Sequence, residues 1–381
     1  MFVLVISNGY PTEKYKGLGI FELDQAKALV NAGCRVIFAA VDVRSIRRWR
    51  KWGLEHHENE GVHAYVLNIP LGRIPSALLK EITSLGLNIL CKTIFKEHGK
   101  PDILHAHFTD MGYAAAKLKK VANVPLVITE HSSLINRPKI EKKLFNIASY
   151  AYKQADTVIA VSPALSNVIE KNFHIKPIYV PNIFDINLFS FNPKVIEGKF
   201  NFISTGNLIY GKRMDLTIEA FYKAFRDCTN VTLTIFGDGI EKKRLEAQIV
   251  NYKLQNRVFL KGMCKRETIA EKFKDSDCFV LASQSETFGV AYIEALACGI
   301  PVIATKCGGP EEFVHENNGR LVAIDDLEEL ADAMSFMYKF NSKYNRQRIA
   351  EETKELFSPK TVSKQLIEIY KTITNVESRY L

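Results

Sequence analysis

Short apolar runs rich in β-branched residues alternate with helix-length stretches along the whole chain, and the rhythm is played twice. In the first half, strand-like runs fall at residues 2–7, 34–41, 64–70, 103–106, 126–129, 157–161 and 177–180. In the second they fall at 200–206, 232–236, 258–260, 278–281, 302–305 and 319–322. Helical patterns lie between them, for example at 21–32, 111–121, 214–226 and 240–252. Uniformly apolar strands separated by helices are the signature of βαβ units, whose parallel strands are buried on both faces. A chain of 381 residues is too long for one such core. Residues 185–199 carry no clear period and read as the connector. The expected fold class is therefore α/β, with two Rossmann-like doubly wound domains over 1–185 and 186–358. Their strand C-terminal edges face a central cleft, where such sheets bind ligands. After the Ser358-Pro359 break, residues 359–373 read as one amphipathic helix.

Several function classes drop out. No apolar run approaches the roughly 18 residues that span a bilayer. The start, MFVLVISNGYPTEKYKG, has neither a basic segment ahead of its apolar run nor a small-residue cleavage site, so no secretory leader is expected. Seven scattered cysteines without a CxxC pair argue against a zinc site or a disulfide framework, and for a reducing cytoplasm. The nearest approach to a dinucleotide fingerprint is Gly17-Leu18-Gly19, with Glu22 where a third glycine belongs, which weakens a dehydrogenase reading. The net charge of +9 is unevenly spread: residues 1–200 hold 26 Lys and Arg against 17 Asp and Glu, and residues 201–381 hold 25 of each. The first half is thus expected to face an anionic partner.

The densest chemistry is in residues 283–304, SQSETFGVAYIEALACGIPVIA, between two buried strands. A helix opens at about Gly289, where free backbone N–H groups and the helix dipole favour an anion. Glu286 stands just ahead of it and Glu294 inside it, among Ile293, Ala295 and Leu296. Carboxylates so placed suit the paired hydroxyls of a sugar or ribose.

Glu286-x7-Glu294, followed by Ala-Leu-Ala-Cys-Gly-Ile-Pro-Val-Ile-Ala-Thr, resembles the signature of the retaining glycosyltransferases of family four, which have the GT-B fold. Thr205-Gly206-Asn207-Leu208 through Lys212 and Asp215, Phe236-Gly237-Asp238-Gly239, Gly308-Gly309-Pro310-Glu311 and Asn317-Asn318-Gly319 follow the same family pattern. So do Gly17-Leu18-Gly19-Ile20-Phe21, Asp102-Ile103-Leu104-His105-Ala106-His107, Thr129-Glu130-His131 and Pro181-Asn182-Ile183-Phe184-Asp185. The resemblance implies a nucleotide-diphosphate sugar as donor and a lipid-linked or polysaccharide acceptor in cell-surface glycan synthesis. It implies catalytic roles for His131, Glu286 and Lys212: His131 near the anomeric centre, Glu286 on a sugar hydroxyl and Lys212 on the diphosphate. Donor binding falls to Gly17, Gly19, Arg213, Phe288, Gly289 and Glu294, with Glu294 on the ribose. The family often has arginine at the place of Asn207 and usually has glycine at the place of Arg213. No metal or other cofactor is implied. Residues 359–381 are expected to pack back on the first domain.

His105 and His107 alternate on one strand and are expected to face the same side of the sheet, as structural residues or as a metal pair. Residues 44–52 hold Arg44, Arg47, Arg48, Arg50 and Lys51, no acid, and both tryptophans, Trp49 and Trp52. That pairing suits an anionic membrane surface, with the protein cytoplasmic and peripheral to the inner face of the cell membrane. Residues 76–100 read as an apolar-faced helix pair. No nucleic-acid-binding motif is present. The rival readings are a GT-B nucleotide-sugar epimerase and a catalytically silent binding subunit.

Overall fold

Backbone hydrogen bonds join the strands into two separate sheets. The computed structural model describes every residue except 14, 16, 46–50, 73, 138, 194–197 and 378–381. Met1–Ile183 and Pro359–Leu381 form one unit and Phe184–Ser358 the other.

The first unit runs β1 (Phe2–Ser7), α1 (Ile20–Asn31), β2 (Arg35–Ser45), β3 (Gly53–Asn59), β4 (Val62–Leu71), α2 (Ser76–His98), β5 (Ile103–His107), α3 (Phe108–Ala122), β6 (Leu126–Glu130), α4 (Lys142–Gln154), β7 (Thr157–Ala160), α5 (Pro163–Phe173) and β8 (Ile178–Tyr179). Its sheet order is β3-β4-β2-β1-β5-β6-β7-β8. Only β3 is antiparallel. All six residues of β1 are buried, as a central parallel strand requires. The sequence reading missed β3 because Gly-Leu-Glu-His-His-Glu-Asn has almost no apolar content; it is an edge strand, where charged side chains face solvent. The expected helix pair at 76–100 is instead the single 23-residue helix α2. Its mid-helix glycine, Gly86, does not break it: a Cβ there would lie 2.9 Å from Ile69, so the glycine lets the helix close onto the sheet.

The second unit runs β9 (Phe200–Thr205), α6 (Met214–Phe225), β10 (Val231–Phe236), α7 (Lys242–Asn251), β11 (Val258–Leu260), α8 (Arg266–Lys274), β12 (Cys278–Leu281), α9 (Val290–Ala297), β13 (Val302–Thr305), β14 (Gly319–Val322), α10 (Leu327–Phe340) and α11 (Arg346–Phe357). The six strands are all parallel, in the order β11-β10-β9-β12-β13-β14. This is the doubly wound order, with its switch point between β9 and β12. The segment read as a connector is packed at its start. Asp185 Oδ1 accepts from the N–H groups of Asn187 and Leu188 at 3.0 and 3.1 Å. Phe189 is buried, its ring 5.9 Å from that of Phe273.

The last helix, α12 (Pro359–Glu377), returns to the first unit, where it packs on α1. Val362, Leu366 and Tyr370 join Leu23, Ala26 and Leu29 in that unit's core. The Tyr370 hydroxyl lies 2.6 Å from His105 Nδ1, and His105 Nε2 lies 2.7 Å from Thr129 Oγ1. Burial pushes the His105 imidazole down to about 3, so the ring is neutral and both its nitrogens are satisfied. Removing the hydroxyl leaves a buried acceptor or donor bare. Tyr370→Phe should therefore cost about 1–3 kcal/mol, and Tyr370→Ala, which also opens a cavity, about 3–5 kcal/mol. Chemical denaturation should show that order; a Phe variant with the parent midpoint would show that the His105 contact adds nothing.

Candidate active site

At the switch point of the second sheet, the chain leaves β9 and β12 in opposite directions, and the two following loops meet. Lys212 Nζ lies 2.6 Å from Glu286 Oε1, and the Ser283 hydroxyl donates to the same oxygen at 2.7 Å. The loops are also tied by backbone: the Gln284 N–H donates to the Gly211 carbonyl at 2.9 Å. The two charged side chains are 23% and 12% exposed. Water therefore screens the pair only in part, and removing one partner is costlier than at a bare surface.

Glu286 leads into α9. Gly289 caps that helix with φ +98, and a Cβ there would come within 2.7 Å of the Tyr292 ring, so both backbone and space call for glycine. No side chain caps α9, and its first-turn N–H groups present positive potential. Phe288 turns its ring inward against Phe313 and Phe357, so only its backbone is offered to the loop. One turn into α9, Glu294 accepts from Arg266 Nη2 at 2.8 Å, and the Arg266 guanidinium lies over Phe189, 5.4 Å from the ring centre.

Arg213 is tied to two carboxylates of its own unit. It precedes α6 with a left-handed backbone, φ +46. Its Nε donates to Asp215 Oδ1 at 3.1 Å, and its Nη1 pairs with Asp325. Burial acts to raise the Asp215 carboxyl, but hydrogen bonds from Arg213 and Arg244 outweigh it and hold the group below its ordinary value.

In the first unit, the corresponding switch lies between β1 and β5. Gly19, the N-cap of α1, has φ +71, and a Cβ there would meet the Gly9 carbonyl at 2.2 Å. Its need for glycine is therefore met by the chain's own backbone, whereas Gly17 has nothing within 4 Å of a Cβ position. Beneath this loop the Ser7 hydroxyl bonds the buried Glu22 carboxyl at 3.0 Å.

His131 follows β6 directly. Its Nε2 lies 3.0 Å from His107 Nδ1, and Asn182 hydrogen-bonds its ring. Burial pushes the imidazole down to about 4. His107 stacks between His105 and His131, with ring centres 4.5 and 5.3 Å away, and burial likewise keeps it neutral. His105 and His107 thus share one side of the sheet. Among the described residues no three His, Cys, Asp or Glu side chains are placed so that they could hold a metal ion together. The neighbouring Glu130 is wholly buried and accepts from Thr109 Oγ1, Tyr152 OH and the N–H groups of His131 and Ser132, so it anchors the loop.

Of the residues singled out in the sequence, Lys212, Arg213, Glu286, Phe288, Gly289 and Glu294 lie in the second unit, and Gly17, Gly19 and His131 in the first. The sequence reading missed Arg266, an ordinary basic residue at a helix start, and Asp325, one acid among several. It also gave no role to Ser283, although it quoted the segment that contains it. Residues 46–50 of the basic stretch lie outside the described residues; Trp52 is 55% exposed. No helix among the described residues is long and apolar enough to cross a membrane.

Residues 15–188 match the model for glycosyltransferase family 4, and residues 185–355 match that for the glycosyl transferases group 1. N-acetyl-α-D-glucosaminyl L-malate synthase of Bacillus anthracis is 27% identical over 288 residues, 71% of this chain and 74% of that protein. Sucrose-phosphate synthase from Thermosynechococcus elongatus has a TM-score of 0.80 at 21% identity, covering 99% of this chain and 100% of that one. Anabaena HepE in complex with UDP-glucose has a TM-score of 0.73 at 21% identity, covering 98% and 100%. Two consecutive family matches over a pair of doubly wound sheets establish that the chain belongs to the family-four glycosyltransferases, with the GT-B fold.

Proposed function

We propose that the protein is a retaining glycosyltransferase that moves a sugar from a nucleoside-diphosphate sugar to a lipid-linked or polysaccharide acceptor in cell-surface glycan synthesis. The observation that carries this reading is the Lys212–Glu286 pair beside the open N-terminus of α9, at the switch point of the second sheet. The leaving nucleoside diphosphate gains negative charge as the glycosidic bond breaks. A lysine at 212 and backbone N–H donors can hold that charge without rearranging at the moment of reaction. The sugar becomes oxocarbenium-like. In the retaining reading, the acceptor attacks from the face the diphosphate leaves, and no protein nucleophile is assigned. The family resemblance assigns Glu286 to a sugar hydroxyl and Glu294 to the ribose. His131 is assigned to the sugar by its family resemblance.

The metal-free reading follows from the same charges: Lys212 and the helix start do what a divalent cation does elsewhere, so transfer should persist in EDTA. The acceptor class rests on the basic excess of residues 1–200, which suits the cytoplasmic face of an anionic membrane. A small soluble acceptor is the second reading, favoured by the name of the Bacillus relative. Incubation with a panel of nucleotide sugars, following nucleotide release and the solubility of the labelled product, tests donor and acceptor together. Donor binding with no nucleotide release above background would favour a silent binding subunit.

Glu294→Ala should weaken donor binding by about 1.5–3 kcal/mol, the worth of a hydrogen bond to a charged group; unchanged affinity by calorimetry removes Glu294 from the site. Lys212→Ala should lower kcat more than it weakens binding, because the diphosphate charge grows toward the transition state. A purely affinity-based loss contradicts that role.

The pH dependence follows from His131. With its imidazole pushed down to about 4, the ring is uncharged from pH 7.5 down to about 5 and adds no acid limb over that range. An acid limb centred near the ordinary histidine value of about 6.5, absent in His131→Asn, would show instead an imidazole that titrates freely.

A further inference from the structure

Two non-glycine residues of the second unit with left-handed backbones face each other as an ion pair: Arg213, φ +46, and Asp325, φ +60. Asp tolerates this conformation better than Arg, and an arginine persists there only where its surroundings over-determine it. The surroundings are side chains. The Arg213 guanidinium bonds Asp215 as well as Asp325 and lies 5.2 Å from the centre of the Tyr210 ring, and the side chain is only 13% exposed.

Asp325 is shared. Its other oxygen, Oδ2, accepts from Gln284 Nε2 at 2.8 Å. Gln284 stands two residues before Glu286, and Arg213 is the residue after Lys212. The two loops that meet through Lys212 and Glu286 are thus joined a second time, through Arg213, Asp325 and Gln284, with a backbone bond from Gln284 to Gly211 between the two links. The third segment drawn in is the turn ahead of α10, where Asp326 accepts from the Glu329 N–H at 2.9 Å.

We propose that Arg213, Asp325 and Gln284 form a clasp that sets the spacing of Lys212 and Glu286, and that these three are positioning residues rather than ligands of the phosphates. The inference rests on the reading of Lys212 and Glu286 as the donor site. Arg213 already meets two carboxylates, so its charge is spent within the protein. A glycine at 213 suits the backbone better, yet it leaves Asp325 without its cation and the outer link open. Arginine at this position is therefore accounted for by its side chain and not by its backbone.

The test uses the full chain with Arg213→Gly, Asp325→Ala, the double variant and Gln284→Ala. Three quantities are read: backbone hydrogen exchange at 207–213 and 283–289, turnover with the nucleotide sugar the panel identifies, and calorimetric affinity for inorganic pyrophosphate. A clasp predicts faster exchange in both segments for Arg213→Gly and Asp325→Ala. It predicts kcat lowered by about tenfold or more, since small misplacements of catalytic groups are expensive. Pyrophosphate affinity should stay within about threefold, and the double variant should be no worse than either single, as for residues acting as one unit. Gln284→Ala removes no charge and should speed exchange at 283–289. Unchanged exchange and turnover in Asp325→Ala overturns the clasp. So does a loss of pyrophosphate affinity confined to Arg213→Gly, which makes Arg213 a phosphate ligand. Lys212→Ala, run in parallel, separates the two levels: if it alters neither turnover nor pyrophosphate binding, the donor-site reading fails, while the exchange data still judge the clasp.

Discussion

A parallel strand needs a crossover to reach its neighbour, so every strand of such a sheet delivers its C-terminal end to the same edge. That constraint governs both units. The second sheet is parallel throughout, and the first departs from it only at the edge strand β3. Where the winding direction reverses, between β9 and β12 and between β1 and β5, the chain leaves neighbouring strands in opposite directions and the crevice of the sheet edge falls there. Lys212, Glu286, Ser283 and the start of α9 stand at one of these points. Ser7 and Gly19 stand at the other. The candidate site residues fall there because the packing of the strands leaves little choice of place.

The buried polar groups of the first unit show what such an edge demands. His107 and Glu130 end β5 and β6, His105 stands in the middle of β5, and all three are fully buried. Glu130 is tolerable because four donors surround it, two from side chains and two from the backbone. His105 is tolerable because Tyr370 and Thr129 take its two nitrogens. His107 is the exception: Nδ1 faces His131, but Nε2 is buried with no hydrogen-bond partner. An orphaned nitrogen beside a satisfied column is a local cost carried next to the loop that His131 opens, as is common where a site rather than a core sets the residue.

Most strands of both sheets were legible because a doubly buried strand writes itself as an uninterrupted apolar run; Phe2–Ser7 and Val302–Thr305 are examples. The failures share a cause. β3 is half-exposed and polar, α2 contains a glycine that packs rather than breaks, and the 185–189 segment is held by an Asx turn and Phe189, which no periodicity reveals. At the site, Glu286 and Lys212 could be singled out, but their direct pairing could not, since 74 residues separate them. Arg266 and Asp325 were invisible for a related reason: a charged residue on a loop or a helix start looks solvated until its partner is known.

The pairing changes what the charges mean. Read in sequence, Lys212 and Arg213 are two adjacent cations awaiting a diphosphate. In the fold, Lys212 meets Glu286, Arg213 meets Asp215 and Asp325, and Arg266 meets Glu294. Arg244 also reaches Asp215, at 3.2 Å, so four cations face four carboxylates and this group of side chains carries no positive surplus with which to draw in an anion. In the proposed reading, a diphosphate competes with Glu286 for the Lys212 ammonium and uses the N–H groups at the start of α9. Lysine suits that exchange, because a compact ammonium on a flexible stem can be shared between a carboxylate and a phosphate, whereas the planar fork of Arg213 is fixed by the two acids it already spans. In that reading discrimination comes from geometry, since a ligand that brings both a diphosphate for Lys212 and hydroxyls for Glu286 replaces the contact it displaces.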